Sequence, residues 1–185
     1  MTADSLTIKT ARLTLQPHTL ADHAECAAMW GDPEVTRFIG GRPASPEDVW
    51  NRLLRYAGLW SLLGYGYWAI RDRTTGRFVG DVGFADFHRD ITPPLGDAPE
   101  VGWALAAWAH GQGFATEAVN AVLAWGDAHL STPRGRHATF VCIIAPDNVA
   151  SVRVAEKCGF RHMALATYKN NATNVYERPG SSLSG

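Results

Sequence analysis

The sequence predicts a mixed α/β fold (α+β), one domain built on a single twisted, mainly antiparallel sheet. Three observations carry that expectation. Runs rich in β-branched and aromatic residues recur along the chain, several of them separated by turn residues and not by crossover helices. Helical patterns with recognisable start and stop residues lie among them. At 185 residues the chain is long enough to bury one substantial core.

Residues 6–15 alternate and carry β-branched positions, which predicts a first strand interrupted near Ala11. Thr19 with Asp22 three positions later marks a helix start, with Leu20, Ala24, Ala27 and Ala28 on its apolar face and an end near Gly31. A second helix has Ser45 as its cap, Pro46 at the first helical position, and Glu47 and Asp48 placed to favour the dipole. Its predicted stripe is Trp50, Leu53, Leu54 and Ala57, and it ends before Gly64. Strands over 67–70 and 78–84 flank a hairpin connection at 72–76. After a Pro-rich loop, residues 100–105 predict a strand with Val101, Trp103 and Leu105 on one face. The next helix buries Ala115, Ala118, Val119, Val122, Leu123 and Gly126, with Leu130 near its end. The apolar run 137–144 predicts a central strand. Asn148 opens a short helix through Lys157, closed by Gly159 with Phe160 as its hydrophobic contact. Strand candidates over 163–168 and 173–177 flank the turn-prone Asn170 and Asn171. One domain over 1–178 is expected, followed by a frayed polar tail at 179–185.

Composition removes several classes of function. Lys plus Arg number 17 against 18 acidic residues, so no strong field favours nucleic acid or an anionic membrane. The N-terminus lacks a basic region followed by an apolar run, and no stretch is apolar for the length of a bilayer, so a cytoplasmic location is expected. Cys26, Cys142 and Cys158 show no Cys-x-x-Cys spacing and the histidines are dispersed, which predicts reduced thiols and no metal site. There is no Gly-x-Ser-x-Gly elbow and no Cys/His nucleophile signature.

The most informative stretch is His110, Gly111, Gln112, Gly113, Phe114, Ala115, Thr116, a glycine turn that runs straight into a helix. Such a helix start offers unpaired N–H groups and partial positive charge, and glycine lets a phosphate approach the main chain. A Walker loop needs Gly-Lys-Ser/Thr, but Phe114 and Ala115 follow Gly113. A dinucleotide fingerprint needs a third small residue where Thr116 stands and an opening βαβ unit. The bland alternative is a strand-to-helix turn without a ligand.

The pattern His110-Gly111-Gln112-Gly113-Phe114-Ala115 resembles the pyrophosphate loop of the GCN5-related N-acetyltransferases, Gln/Arg-x-x-Gly-x-Gly/Ala, except that His stands first. Histidine, with an ordinary pKa of about 6.5, is a weaker cation than Arg. Asn148-x-x-Ser151 with Glu156-Lys157-Cys158-Gly159-Phe160, the opening Thr10-Ala11-Arg12-Leu13, and Glu100-Val101-Gly102-Trp103 resemble the branch of that superfamily that acetylates ribosomal-protein N-termini. The resemblance runs from about Leu6 to Arg178. It implies a sheet of about seven strands splayed between the fourth and fifth, with about four helices.

The resemblance also implies acetyl-CoA as cosubstrate, with no metal, and direct transfer of its acetyl group to a primary amine, either a protein N-terminus or a small molecule. Backbone groups of Trp103, Ala104 and Leu105 would hold the thioester, residues His110 to Thr116 the pyrophosphate, and Asn148 the pantetheine arm. Relatives often place a Tyr acid where Ala155 stands here, which makes Ser151 the candidate acid. Glu100 is the candidate base, with a strand carboxylate or salt-bridge partner as the alternative. Trp50, Trp60, Tyr65 and Tyr67 are expected on the acceptor wall. A monomer or homodimer without nucleic-acid or membrane partners is expected. The rivals are a noncatalytic acyl-CoA-binding module and a nucleotide-binding oxidoreductase.

Overall fold

The computed structural model describes residues 6–130 and 139–179. The predicted tail beyond Pro179, residues 137 and 138 of the predicted central strand, and the first five residues lie outside them. In chain order the elements are β1 (Ile8–Lys9), β2 (Leu13–Pro17), α1 (His23–Trp30), α2 (Pro33–Thr36), α3 (Pro46–Leu63), β3 (Tyr67–Asp72), β4 (Phe78–Ala85), β5 (Ile91–Thr92), β6 (Glu100–Leu105), α4 (Phe114–His129), β7 (Phe140–Ile144), α5 (Val149–Lys157), β8 (Arg161–Tyr168) and β9 (Asn171–Arg178). β1 and β2 are the two halves of the predicted first strand, broken near Ala11 as expected; the two-residue strand β5 and the one-turn helix α2 are additions, both too short to leave a period in the sequence.

The chain forms two compact units. The first takes the residues up to Gly83 together with Trp103–Val119, and its strands run in the order β1-β2-β3-β4-β6. The pairings of β1, β2, β3 and β4 are antiparallel, with Leu15 opposite Ile70 and Trp68 opposite Val82. Its core is Cys26, Met29, Trp30, Val49, Leu53, Ala69, Phe78 and Ala104.

Here the predicted helix faces need correction. On α1 the buried residues are Cys26, Met29 and Trp30, while Leu20 ahead of it is 69% exposed. On α3 they are Val49, Leu53, Tyr56 and Leu59, while Trp50 is 42% and Leu54 50% exposed. The reason is polar. Asp81 in β4 is fully buried, and a buried carboxylate needs donors. Trp30 Nε1 donates to Asp81 Oδ2 at 2.8 Å and Tyr56 Oη at 3.3 Å, so these two residues turn α1 and α3 toward β4. His18 Nε2 lies 3.1 Å from the other Asp81 oxygen. The caps are as expected: Ser45 and Asp48 form a reciprocal capping box, and Gly64 ends α3 at φ 74°.

The second unit takes Phe84–Gly102 and the described residues from Asn120 onward, with strand order β6-β7-β9-β8-β5. β7 is central, as its apolar run predicts: it pairs with β9 antiparallel and with β6 in parallel. That parallel ladder has one register pair, Glu100 with Val141, and the Val141 N–H donates to the Pro99 carbonyl at 3.1 Å. Gly126 of α4 lies against the rings of Phe84 and Phe140, where a Cβ would come 2.6 Å from Phe84 Cζ. α5 closes as predicted: the Phe160 N–H bonds Ala155 O and the Gly159 N–H bonds Glu156 O, with Gly159 at φ 85°. The β8–β9 turn sits at Lys169 and Asn170, both at positive φ, one residue earlier than the sequence suggests. No helix among the described residues is long and apolar enough to cross a membrane.

Candidate active site

In the first unit, β6 ends at Leu105, a short 3-10 turn spans Ala107–Ala109, and the glycine turn delivers the chain to α4 at Phe114. Gly111 and Gly113 stand at φ 73° and 81°, a region where a side chain costs strain. The Glu117 N–H bonds back to Gly113 O at 3.1 Å, and the amides of Phe114 and Ala115 lie ahead of it at the start of α4. The turn has the backbone form of an anion cradle.

Side chains brace it. His110 donates from Nε2 to Leu105 O at 2.9 Å, since a carbonyl can only accept, and so ties the turn to the end of β6. Gln112 donates to Trp108 O at 2.7 Å. Glu117 accepts from Thr10 Oγ1 at 2.6 Å, from the Arg12 N–H at 2.9 Å and from Arg12 Nε at 2.7 Å. Burial pushes the Glu117 pKa up, but the bonds from Thr10 and Arg12 outweigh it and hold the carboxyl below the ordinary glutamate value. Glu117 thus ties the β1–β2 connection to the start of α4.

In the second unit, Asn148 caps α5: its Oδ1 accepts from the Ser151 N–H at 3.1 Å. That bond uses the side-chain oxygen and leaves the amide nitrogen, which has no bond among the described residues. Ser151 is half-buried and its hydroxyl likewise has no protein partner there. Ala155 is fully buried, so the slot that holds a Tyr in relatives belongs to the core here.

Glu100 is 6% exposed, and Arg89 grips both its oxygens, Nε to Oε2 at 2.6 Å and Nη2 to Oε1 at 2.7 Å. Arg89 Nη1 donates to the Tyr168 hydroxyl at 2.9 Å, and the guanidinium lies between the rings of Phe87 and Tyr168. The structure therefore realises the salt-bridge alternative for Glu100. Both carboxylate oxygens accept charge-assisted bonds from the one guanidinium. The pair borders a cavity of about 290 Å³ lined also by Phe87, Leu95 and Asp97.

The expected acceptor residues fare unevenly. Trp50 is exposed beside His23, and Tyr65 is half-buried. Tyr67 is 7% exposed and stacks on Tyr56 at 4.5 Å, which makes it a core residue; Trp60 donates to Tyr67 O at 3.0 Å. His18, Cys26 and Asp81, distant in sequence, bring one donor atom each within 4.8 Å of one another. His18 turns Nε2 to Asp81 and Nδ1 to Cys26, so its two nitrogens face different partners and the group reads as a structural contact. Arg12 and Arg89 escaped the sequence reading as site residues; their partners lie 105 and 11 positions away, with no spacing to mark them.

The model of the acetyltransferase (GNAT) domain matches residues 12–161 of the chain. The protein belongs to the GNAT family. It is a GNAT acetyltransferase, of the class that transfers an acetyl group from acetyl-CoA. YkkB of Bacillus subtilis (strain 168), itself uncharacterised, is 32% identical over 156 residues, 81% of each chain. The acetyltransferase of Agrobacterium tumefaciens str. C58 shares 29% identity over 92% of each chain, with a TM-score of 0.77. RimL, a ribosomal L7/L12 alpha-N-protein acetyltransferase solved with coenzyme A, has the same fold at 17% identity and a TM-score of 0.73, covering 94% of this chain and 97% of its own. The GNAT fold is a mixed sheet with helices, as the sequence predicts.

Proposed function

We propose that this GNAT protein is an N-acetyltransferase that moves the acetyl group of acetyl-CoA to a primary amine, a protein N-terminal α-amine or a small-molecule amine, by direct attack within a ternary complex. The observation that carries the reading is the strand-to-helix turn with Gly111 and Gly113 at positive φ in a chain of this family. One acetyltransferase domain over residues 1–178 is part of the proposal. The coenzyme pyrophosphate is assigned to the backbone of His110, Gly111, Gln112, Gly113, Phe114, Ala115 and Thr116, and the pantetheine arm to the amide of Asn148. The thioester falls to the backbone of Trp103, Ala104 and Leu105. Ser151, whose hydroxyl has no partner among the described residues, is the group assigned to the departing thiolate. RimL supports an α-amine acceptor through its name, and its complex supports coenzyme A as ligand.

Direct attack is favoured over an acyl-enzyme because the thiols are poor nucleophiles: all three cysteines are buried. Burial pushes Cys158 up to about 11 and Cys26 and Cys142 well above the ordinary thiol value, so the reactive thiolate is scarce at neutral pH. An α-amine of pKa about 8 must lose a proton before it attacks. With Glu100 held by Arg89, water is assigned that proton, and Glu100 enters as a base only if its ion pair opens.

The test is thiol release from acetyl-CoA over a panel of peptides with free N-termini, lysine peptides, aminoglycosides and polyamines. Acetylation of at least one amine class is expected. Coenzyme binding without turnover on any acceptor supports the noncatalytic module instead, and a thermal shift with NAD(P) but none with CoA supports the oxidoreductase.

A further inference from the structure

The glycine turn offers a phosphate only partial charges, and the family's usual Arg or Gln at its head is replaced by His110, whose Nε2 is already bound to Leu105 O. A second side chain stands at the turn. Arg12 reaches it from β2's leading edge and makes three contacts there. Its Nε donates to Glu117 at 2.7 Å, its Nη1 donates to Gln112 O at 2.9 Å, and its Cζ lies 4.5 Å from the centre of the Phe114 ring. The third nitrogen, Nη2, has no protein acceptor among the described residues. It lies 3.4 Å from the point where a Cβ on Gly113 would stand, beside the residue that opens α4.

We propose that Arg12 is a coenzyme-binding residue whose Nη2 donates to the pyrophosphate of CoA, adding a charged side-chain donor to the backbone amides of the glycine turn. The proposal rests on the reading of that turn as the coenzyme site. The division of labour on the guanidinium follows from its fixed fork of donors: Nε is held by Glu117 and Nη1 by the turn's own carbonyl, and the remaining donors are left for an anion. Glu117 and Thr10 are positioning residues in this scheme. An Arg side chain that is 46% exposed loses rotamer freedom when it binds a phosphate, and the Glu117 bond fixes the arm in advance. A glycine at 113 keeps the space beside Nη2 open.

The test uses the full chain and three ligands titrated by calorimetry: CoA, 3′-dephospho-CoA and pantetheine, which lacks the pyrophosphate and nucleotide. For Arg12→Gln, CoA and 3′-dephospho-CoA are expected to bind about tenfold more weakly, the scale of one hydrogen bond to a charged group. Pantetheine binding and turnover of S-acetylpantetheine stay at the wild-type level. Arg12→Lys, which keeps the charge and lacks the fork, recovers part of the loss and serves if the Gln variant does not fold. Equal weakening of CoA and pantetheine would show a merely structural role and overturn the proposal, as would no weakening of either. A loss confined to CoA, absent with 3′-dephospho-CoA, overturns it too, because the contact would then be to the 3′-phosphate. Wild-type protein that binds no CoA at all instead sinks the coenzyme reading, before any variant is made.

Discussion

Arg89 and Arg12 each pair with a glutamate of a later element, Glu100 on β6 and Glu117 on α4, yet they end in opposite conditions. Arg89 gives Nε and Nη2 to Glu100 and Nη1 to the Tyr168 hydroxyl, and two aromatic rings cover it. Arg12 gives Glu117 only its Nε, has no acceptor for Nη2 among the described residues, and remains close to half exposed. The same two residue types therefore make a closed structural tie in one unit and an open, ligand-ready arm in the other. Burial decides which: a covered guanidinium must satisfy its donors within the protein, whereas one at the surface can leave a donor to water until a ligand takes it.

The sharpest way to break this comparison is Glu100→Gln. If the pair is structural, the substitution leaves Arg89 covered without its carboxylate, and removal of one partner of a buried pair costs roughly 3–5 kcal/mol. Urea unfolding is expected to show that loss as a lower midpoint. If Glu100 were the base instead, stability would change little, and the acidic limb of the pH–rate profile would disappear. Both effects together would mean that the pair holds the fold at rest and opens for the reaction.

Next in size is Ser151→Ala. Its hydroxyl has no protein partner among the described residues, so stability should hardly move, while loss of one donor to the leaving thiolate is expected to slow turnover about tenfold to a hundredfold, at or below the lower end of effects seen for oxyanion donors. Coenzyme affinity should be retained. Unchanged turnover under chemistry-limited conditions removes Ser151 from the mechanism.

The elements were legible where one choice of face was apolar, and illegible where two were. On α4, Ala118, Val119, Val122, Leu123 and Gly126 are buried as the period predicts, since Glu117, Asn120 and Ala124 leave no rival stripe. On α3 the sequence offers two apolar stripes, Trp50 with Leu54 and Val49 with Leu53 and Leu59, and periodicity alone cannot rank them. Tyr56 ranks them through its bond to Asp81, a partner 25 positions away. The site divides along the same line. The glycine turn is a local backbone device, so its residues announce themselves in sequence. The grip on Glu100 and the arm at the turn are side-chain contacts set by the tertiary fold, and Arg12 stood within a family motif with nothing local to say that its guanidinium reaches Gln112. Tyr67 is ambiguous in sequence for a related reason: an aromatic residue at a strand start suits a groove or a core, and in the structure it is buried and stacks on Tyr56.

A third measurement sharpens the open side of the comparison. Gly113→Ala places a side chain at φ 81°, which costs about 1–2 kcal/mol for an L-residue. Its Cβ would also stand 3.4 Å from Arg12 Nη2, in the space assigned to the phosphate. The expected result is weaker CoA binding with only a small loss of stability. Equal CoA affinity in the variant would mean that the ligand does not approach the main chain at this residue.

The smallest effect tests the tie that holds the arm. Glu117 is held below the ordinary glutamate pKa: burial opposes the shift, and the bonds from Thr10 and Arg12 outweigh it. A carboxyl whose folded pKa is depressed contributes stability that is fully present above its unfolded pKa, about 4.3, and is lost as pH falls through the folded value. Solvent at Arg12 screens the pair, so the contribution is set at about 1 kcal/mol. Glu117→Gln should therefore lower stability at pH 7 by that amount, and the difference from wild type should narrow once pH falls below about 4. Because Gln can still accept from Thr10 but holds Arg12 without charge, CoA affinity should fall less than in Arg12→Gln. A gap that stays constant across the acid range would mean that Glu117 contributes by packing alone, and Arg12 would then owe its position to the Gln112 carbonyl and the Phe114 ring.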